Sequence, residues 1–160
     1  GHLVFSTIHT NNSIGVITRL RDMGVDPYLI APTLCLAIAQ RLTHRISPSS
    51  ANPLPEDPAH KRLVEEEFKN MPEQLRGSFN LSRPLNEAIP STNSPTGLKG
   101  RIPVVETVTI NDNLQRAILD NKSEEEMWNI AQTDGVVTMK QDAILKCMDG
   151  LLPFIEINSL

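Results

Sequence analysis

His2-Leu-Val-Phe-Ser-Thr-Ile-His-Thr-Asn11 opens the chain, and its reading decides the fold. A largely apolar run from Leu3 to Ile8 gives way to short polar side chains at Thr7, His9, Thr10 and Asn11. That is the pattern of a buried parallel strand whose carboxyl end opens onto a site. In open α/β sheets, ligands bind beyond the carboxyl ends of the strands. The expectation is therefore a strand over residues 3–8 with a binding site beginning at its polar end. A central strand at the first residues also predicts that earlier elements of the same domain lie upstream.

The rest of the chain sets the bounds. A length of 160 residues suits one domain with a core of its own. Hydrophobic residues make up 39% and charged residues 21%, ordinary for a globular chain. The net charge of −4, with no basic block, disfavours binding to a nucleic-acid backbone. Cys35 and Cys147 are too far apart in sequence to suggest a disulfide framework and suit a reducing compartment. The longest apolar run, Tyr28 to Ala39, is too short to span a bilayer and contains Pro32.

Local signals place the elements. Asn12 or Ser13 can cap a helix reaching about Met23, with Ile14, Ile17 and Leu20 on one face and Gly24 as its stop. Asp26-Pro27 starts a second helix, expected to run to about Arg45 and to bury Ile30, Leu34, Ile38 and Leu42. Residues 46–95 are rich in Ser, Pro and Asn at both ends, with a short helix near 58–70. They read as a partly mobile surface insertion. Residues 101–110 alternate as a strand, with Ile102, Val104, Glu106, Val108 and Ile110 on one face. Three short helices follow, capped by Asn111, by the Ser123/Glu126 box and by the Thr138/Gln141 box. Gly135 and Gly150 fit as stops.

Residues 1–45 resemble the histidine box and following helices of the secretion ATPases that drive type II secretion and type IV pilus assembly. The likeness resumes at Thr96-Gly-Leu-Lys-Gly-Arg-Ile-Pro-Val-Val-Glu106, similar to the family's Gly-Tyr-Lys-Gly-Arg-Ile-Gly-Ile-Tyr-Glu. It continues at Gly135-Val-Val-Thr-Met-Lys-Gln-Asp142, similar to Gly-Met-x-Thr-Leu-x-x-Asp. The resemblance implies an α/β fold: a truncated RecA-like P-loop NTPase domain with an appended, mostly helical carboxyl-terminal subdomain. Residues 1–45 would end the RecA-like domain, 46–95 would occupy the place of the family's zinc module, and 96–160 would form the subdomain. It further implies a homo-hexamer using ATP and Mg²⁺, cytoplasmic and peripheral at the inner face of the membrane. Its partners would be an inner-membrane platform and the secretion or pilus-assembly proteins, with no nucleic acid and no direct membrane insertion. No Gly-x-x-x-x-Gly-Lys-Ser/Thr occurs in the sequence, so these residues contain no phosphate-cradling loop. The family's Walker B carboxylate precedes the histidine box and is likewise absent. The expectation is that the chain by itself does not hydrolyse ATP.

Carried onto this sequence, the resemblance makes His9 and His2 the catalytic candidates and Thr7 and Thr10 nucleotide-site lining. A neutral imidazole can donate its N–H to a phosphate oxygen or a carboxylate. On a strand, His2 and His9, seven residues apart, would point to opposite faces. Arg19, Arg21, Arg41, Arg45 and Arg101 lie in the matched segments; helix-surface arginines are ordinarily solvated or weakly paired. Glu106, among aliphatic neighbours, is expected in a structural ion pair with Arg41 or Arg101. Where many family members carry two Cys-x-x-Cys pairs for zinc, this sequence has Ser47-Pro-Ser-Ser50 and Pro90-Ser-Thr-Asn93. Only His44 and His60 stand nearby, so no metal site and no zinc are predicted. Two other classes remain open: a non-catalytic interaction module or degenerate paralogue keeping only the inter-subunit surfaces, and a DNA-translocating relative, which the weak basicity disfavours.

Overall fold

The computed structural model describes residues 2–160. They form a mixed α/β structure with two two-stranded sheets, and the chain divides into two compact units. The first comprises residues 1–39 and 107–131, and the second residues 40–106 and 132–160.

In the first unit, helix α1 (Gly15–Asp22) buries Ile17, with Ile14 buried just ahead of it. The cap position is Ile14, without a side-chain cap, and not Asn12 or Ser13; the Asn12 side chain nonetheless accepts the Gly15 N–H at 2.7 Å. Gly24 takes the left-handed stop, with φ +84°. Asp26 caps α2 (Pro27–Thr33) and Pro27 opens it, as expected. Helix α5 (Asp112–Leu119), capped by Asn111, packs its Leu114, Ala117 and Ile118 face against α2. Helix α6 (Glu124–Thr133) starts at the reciprocal Ser123/Glu126 box.

Two expectations are overturned here. The second helix does not reach Arg45: it stops at Thr33, and β1 (Leu36–Ile46) follows. Ile38 and Leu42, assigned to a buried helical face, are exposed, whereas Ala37 is buried. The spacing of Ile30, Leu34, Ile38 and Leu42 satisfies a helix, but pairing with β4 (Leu98–Thr109) wins. Strand preference is set by what a segment finds beside it, which local periodicity does not contain. The Ile110 N–H bonds to the Cys35 carbonyl at 3.0 Å at this end of the pair.

The expected strand over residues 3–8 is also not formed. Residues 2–10 carry no regular secondary structure, and Leu3, Val4 and Phe5 are 77–87% exposed. A strand exists only through its ladder, and neither sheet among the described residues includes this segment.

In the second unit, the Ser47 N–H donates to Gly97 O and Thr43 Oγ1 to Ile102 O, so partners on β4 rise in number as those on β1 fall and the pairing is antiparallel. Val104 and Glu106 are buried on β4, between exposed Pro103 and Thr107, matching the predicted alternation. A small antiparallel sheet joins β2 (Ala51–Pro53) to β3 (Asn86–Ala88). Helices α3 (Pro58–Phe68), α4 (Glu73–Arg76), α7 (Met139–Met148) and α8 (Phe154–Ile157) complete the unit. α3 packs on α7, burying Val64 and Phe68, and Met71 and Leu85 are buried as well. Residues 46–95 thus contribute Val64, Phe68, Met71 and Leu85 to the buried core of this unit, more than the expectation of a partly mobile surface segment contained. The apolar side expected of the helix near 58–70, with Leu63, Val64 and Phe68, supplies two of these residues, Val64 and Phe68.

Candidate functional site

The structure leaves the predicted nucleotide-lining segment open. His2, Thr7 and His9 are exposed, so both imidazoles face solvent. Thr10 is half-buried, and its hydroxyl donates to Asn12 O at 2.9 Å. Order begins at Asn12. Its Oδ1 holds the Gly15 N–H, and its Nδ2 donates to Glu124 Oε1 at 2.8 Å. Thr18 Oγ1 donates to the other carboxylate oxygen at 3.4 Å. Arg21 closes the end of α5, donating to Ile118 O at 2.8 Å and Lys122 O at 3.0 Å, while its buried Nε has no partner among the described residues. Arginine near the last turn of a helix satisfies carbonyls that have no intrahelical donor. Glu124 escaped the sequence reading, because nothing local marks a residue 112 positions from its partner.

In the second unit, the Gly135–Asp142 motif grips β4. Glu106, 3% exposed, accepts the Met139 N–H through Oε2 at 3.3 Å, and Asp142 Oδ2 accepts the Val105 N–H at 2.8 Å. Lys146 bonds the same Asp142 oxygen and also Pro103 O, the latter at 2.8 Å. Gln141 completes the Thr138 capping box and donates from Nε2 to Glu67 O at 2.6 Å. Of the two arginines considered for Glu106, Arg101 is exposed and Arg41 donates to Ser159 O at 3.3 Å.

The serines at the expected zinc-module positions come together. Ser50 Oγ donates to Ser91 Oγ at 2.9 Å, and Ser94 Oγ donates to Leu98 O at 3.0 Å. Ser47, Ser50 and Ser94 are buried. The facing pairs are Ser47/Ser50 and Ser91/Ser94, one residue later than the Pro90–Asn93 alignment expected. Each pair closes its own turn, with the Ser50 N–H on Ser47 O and the Ser94 N–H on Ser91 O. Hydroxyls here both donate and accept among themselves and the backbone. His44 lies elsewhere, on Glu156 at 2.7 Å, and the His60 ring packs against Phe154. Cys147 is buried, exchanging hydrogen bonds with the Asn86 backbone. Burial pushes its thiol up to about 11 against the lowering effect of the Asn86 contact. Among the described residues no helix is long and apolar enough to cross a membrane.

Residues 1–159 match the family described as Type II/IV secretion system protein. The chain is 37% identical over 157 residues to Type II secretion system protein E of Xanthomonas campestris pv. campestris, covering 98% of this chain and 26% of that protein. It is 38% identical over 159 residues to Type II secretion system protein E of Pectobacterium carotovorum subsp. carotovorum, covering 98% and 29%. Type IV pilus assembly ATPase PilB of Thermus thermophilus is 31% identical over 158 residues, covering 98% and 17%. The chain therefore spans less than a third of the length of these relatives. With a match running through the histidine segment, the serine turns and the β4 clasp alike, the chain belongs to the Type II/IV secretion system protein family.

Proposed function

We propose that this chain is the carboxyl-terminal part of a hexameric motor ATPase. The motor works at the cytoplasmic face of the inner membrane and couples ATP hydrolysis to type II secretion or to pilus assembly. The observation that carries this reading is similarity over 98% of this chain to proteins named for those systems, one of them an ATPase by name. In this reading residues 1–45 end a RecA-like domain, and the secretion or pilus machinery, with its membrane platform, is the partner. Glu106 keeps a structural role, and the serine turns hold their segment without zinc.

The chain's own residues do not fit a complete nucleotide site, since no phosphate-cradling loop occurs among them. What they offer is two exposed donors, the His9 imidazole and the Thr7 hydroxyl, suited to a phosphate oxygen or a carboxylate. His2 is a weaker second candidate on the same segment, and Thr10 already spends its hydrogen on Asn12.

The test is Mg²⁺-dependent ATP turnover by the full-length gene product. His9→Ala is expected to lower kcat about a hundredfold or more, the scale of losing one positioned donor. Wild-type turnover in that variant would remove His9 from the site. The 160 residues alone are expected to show no turnover. The second reading is a non-catalytic module that keeps only the inter-subunit surfaces, and a full-length product without ATPase activity would establish it.

A further inference from the structure

The polar end of the histidine segment is tied down by a residue from far along the chain. Asn12 spends every polar atom of its side chain: Oδ1 accepts the Gly15 N–H at 2.7 Å, and Nδ2 donates to Glu124 Oε1 at 2.8 Å. The directions are dictated, because a carboxylate only accepts and an N–H only donates. Thr18 Oγ1, one turn into α1, holds the second Glu124 oxygen at 3.4 Å. Space is equally constrained. A Cβ at Gly15 would stand 3.2 Å from Asn12 Oδ1, a tight approach, and at an ordinary contact distance of 3.5 Å from Thr10 Cβ.

We infer that Glu124 is a positioning residue for the histidine segment, acting through Asn12. This rests on the reading of His9 given above. His9 stands three residues before Asn12, so the path of the carboxyl end of the segment, and His9 with it, is held where Thr10 and Asn12 are fixed among the described residues. Loosening that point swings His9 without touching it. Misplacement by about 1 Å is enough to cost up to about a hundredfold in rate.

The test reverses the pair in the full-length protein. Asn12→Asp sets carboxylate against carboxylate. Adding Glu124→Gln restores a donor and an acceptor with their roles exchanged, and the Gly15 N–H keeps an acceptor throughout. Asn12→Asp is expected to lower kcat about tenfold with KM for ATP changed less than about twofold, and the double variant to regain most of it. Glu124→Ala, which removes the acceptor without adding repulsion, is expected to behave like the single variant. Wild-type kcat in both single variants, or no regain in a double variant that melts like wild type, would overturn the inference. If the wild-type protein has no turnover, the ATPase reading falls separately. Hydrogen-exchange mass spectrometry on the same proteins then decides the anchor. Residues 13–19, at the start of α1, should exchange faster in Asn12→Asp and return to the wild-type rate in the double variant. Unchanged exchange would sink it.

Discussion

Gly97 and Gly100 stand three residues apart at the start of β4, and both are left-handed, with φ of +72° and +77°. A side chain at either is strained by about 1–2 kcal/mol, because Cβ crowds the following carbonyl. They differ in what that side chain would meet. At Gly100 a Cβ enters open space, whereas at Gly97 it would lie 2.5 Å from Ile89 O, a backbone atom that cannot rotate away. Gly100→Ala is therefore expected to cost only the conformational strain. Gly97→Ala adds the displacement of a backbone segment and should lose about 3 kcal/mol or more. Urea unfolding of the two variants side by side checks this, and equal losses would contradict it. Both glycines were visible in the family-like motif, but their different burdens were not. The approach of Ile89 is a long-range contact that no local pattern announces.

At the scale of elements, caps were the most legible feature. Asp26, Asn111, Thr138 and the Ser123/Glu126 pair all sit where their sequence spacing put them. A cap is settled within four residues, so local sequence holds all of its information. The Ser123/Glu126 box has a consequence for pH. Glu126 accepts the Ser123 N–H, and that bond, with help from Lys122 and the Ser123 hydroxyl, lowers its carboxyl from 4.5 to about 2. A folded value below the unfolded one means that the contribution is complete above about 4.5 and fades as pH falls towards 2. An NMR titration of the Glu126 side-chain carboxyl should place its midpoint near 2. A midpoint in the ordinary carboxylate range would mean the box does not persist in solution. Strands were less legible than caps. β1 was read as helix because its apolar residues fit both periods, and only its partner β4 breaks the tie.

For the molecule as a whole, the middle of the chain gains most from being seen folded. Phe68 is 0% exposed and meets the Phe79 ring edge-on, so it is a core residue of its unit. Phe68→Ala should cost about 3–5 kcal/mol, through lost transfer energy and the cavity left behind. Chemical denaturation reads this directly. A loss below about 1 kcal/mol would return residues 46–95 to the status of a peripheral insertion. Capping, the alternation of Val104, Glu106 and Val108, and family membership through three short motifs follow from residue order alone. Each depends on neighbours within a few positions or on motif identity. The strand identity of β1, the meeting of the Ser50 and Ser91 turns, the grip of Asp142 on Val105 and the reach of Glu124 to Asn12 could come only from the folded chain. Each of these pairs residues separated by dozens of positions, and the free energy that selects them exists only once the chain has brought both sides together.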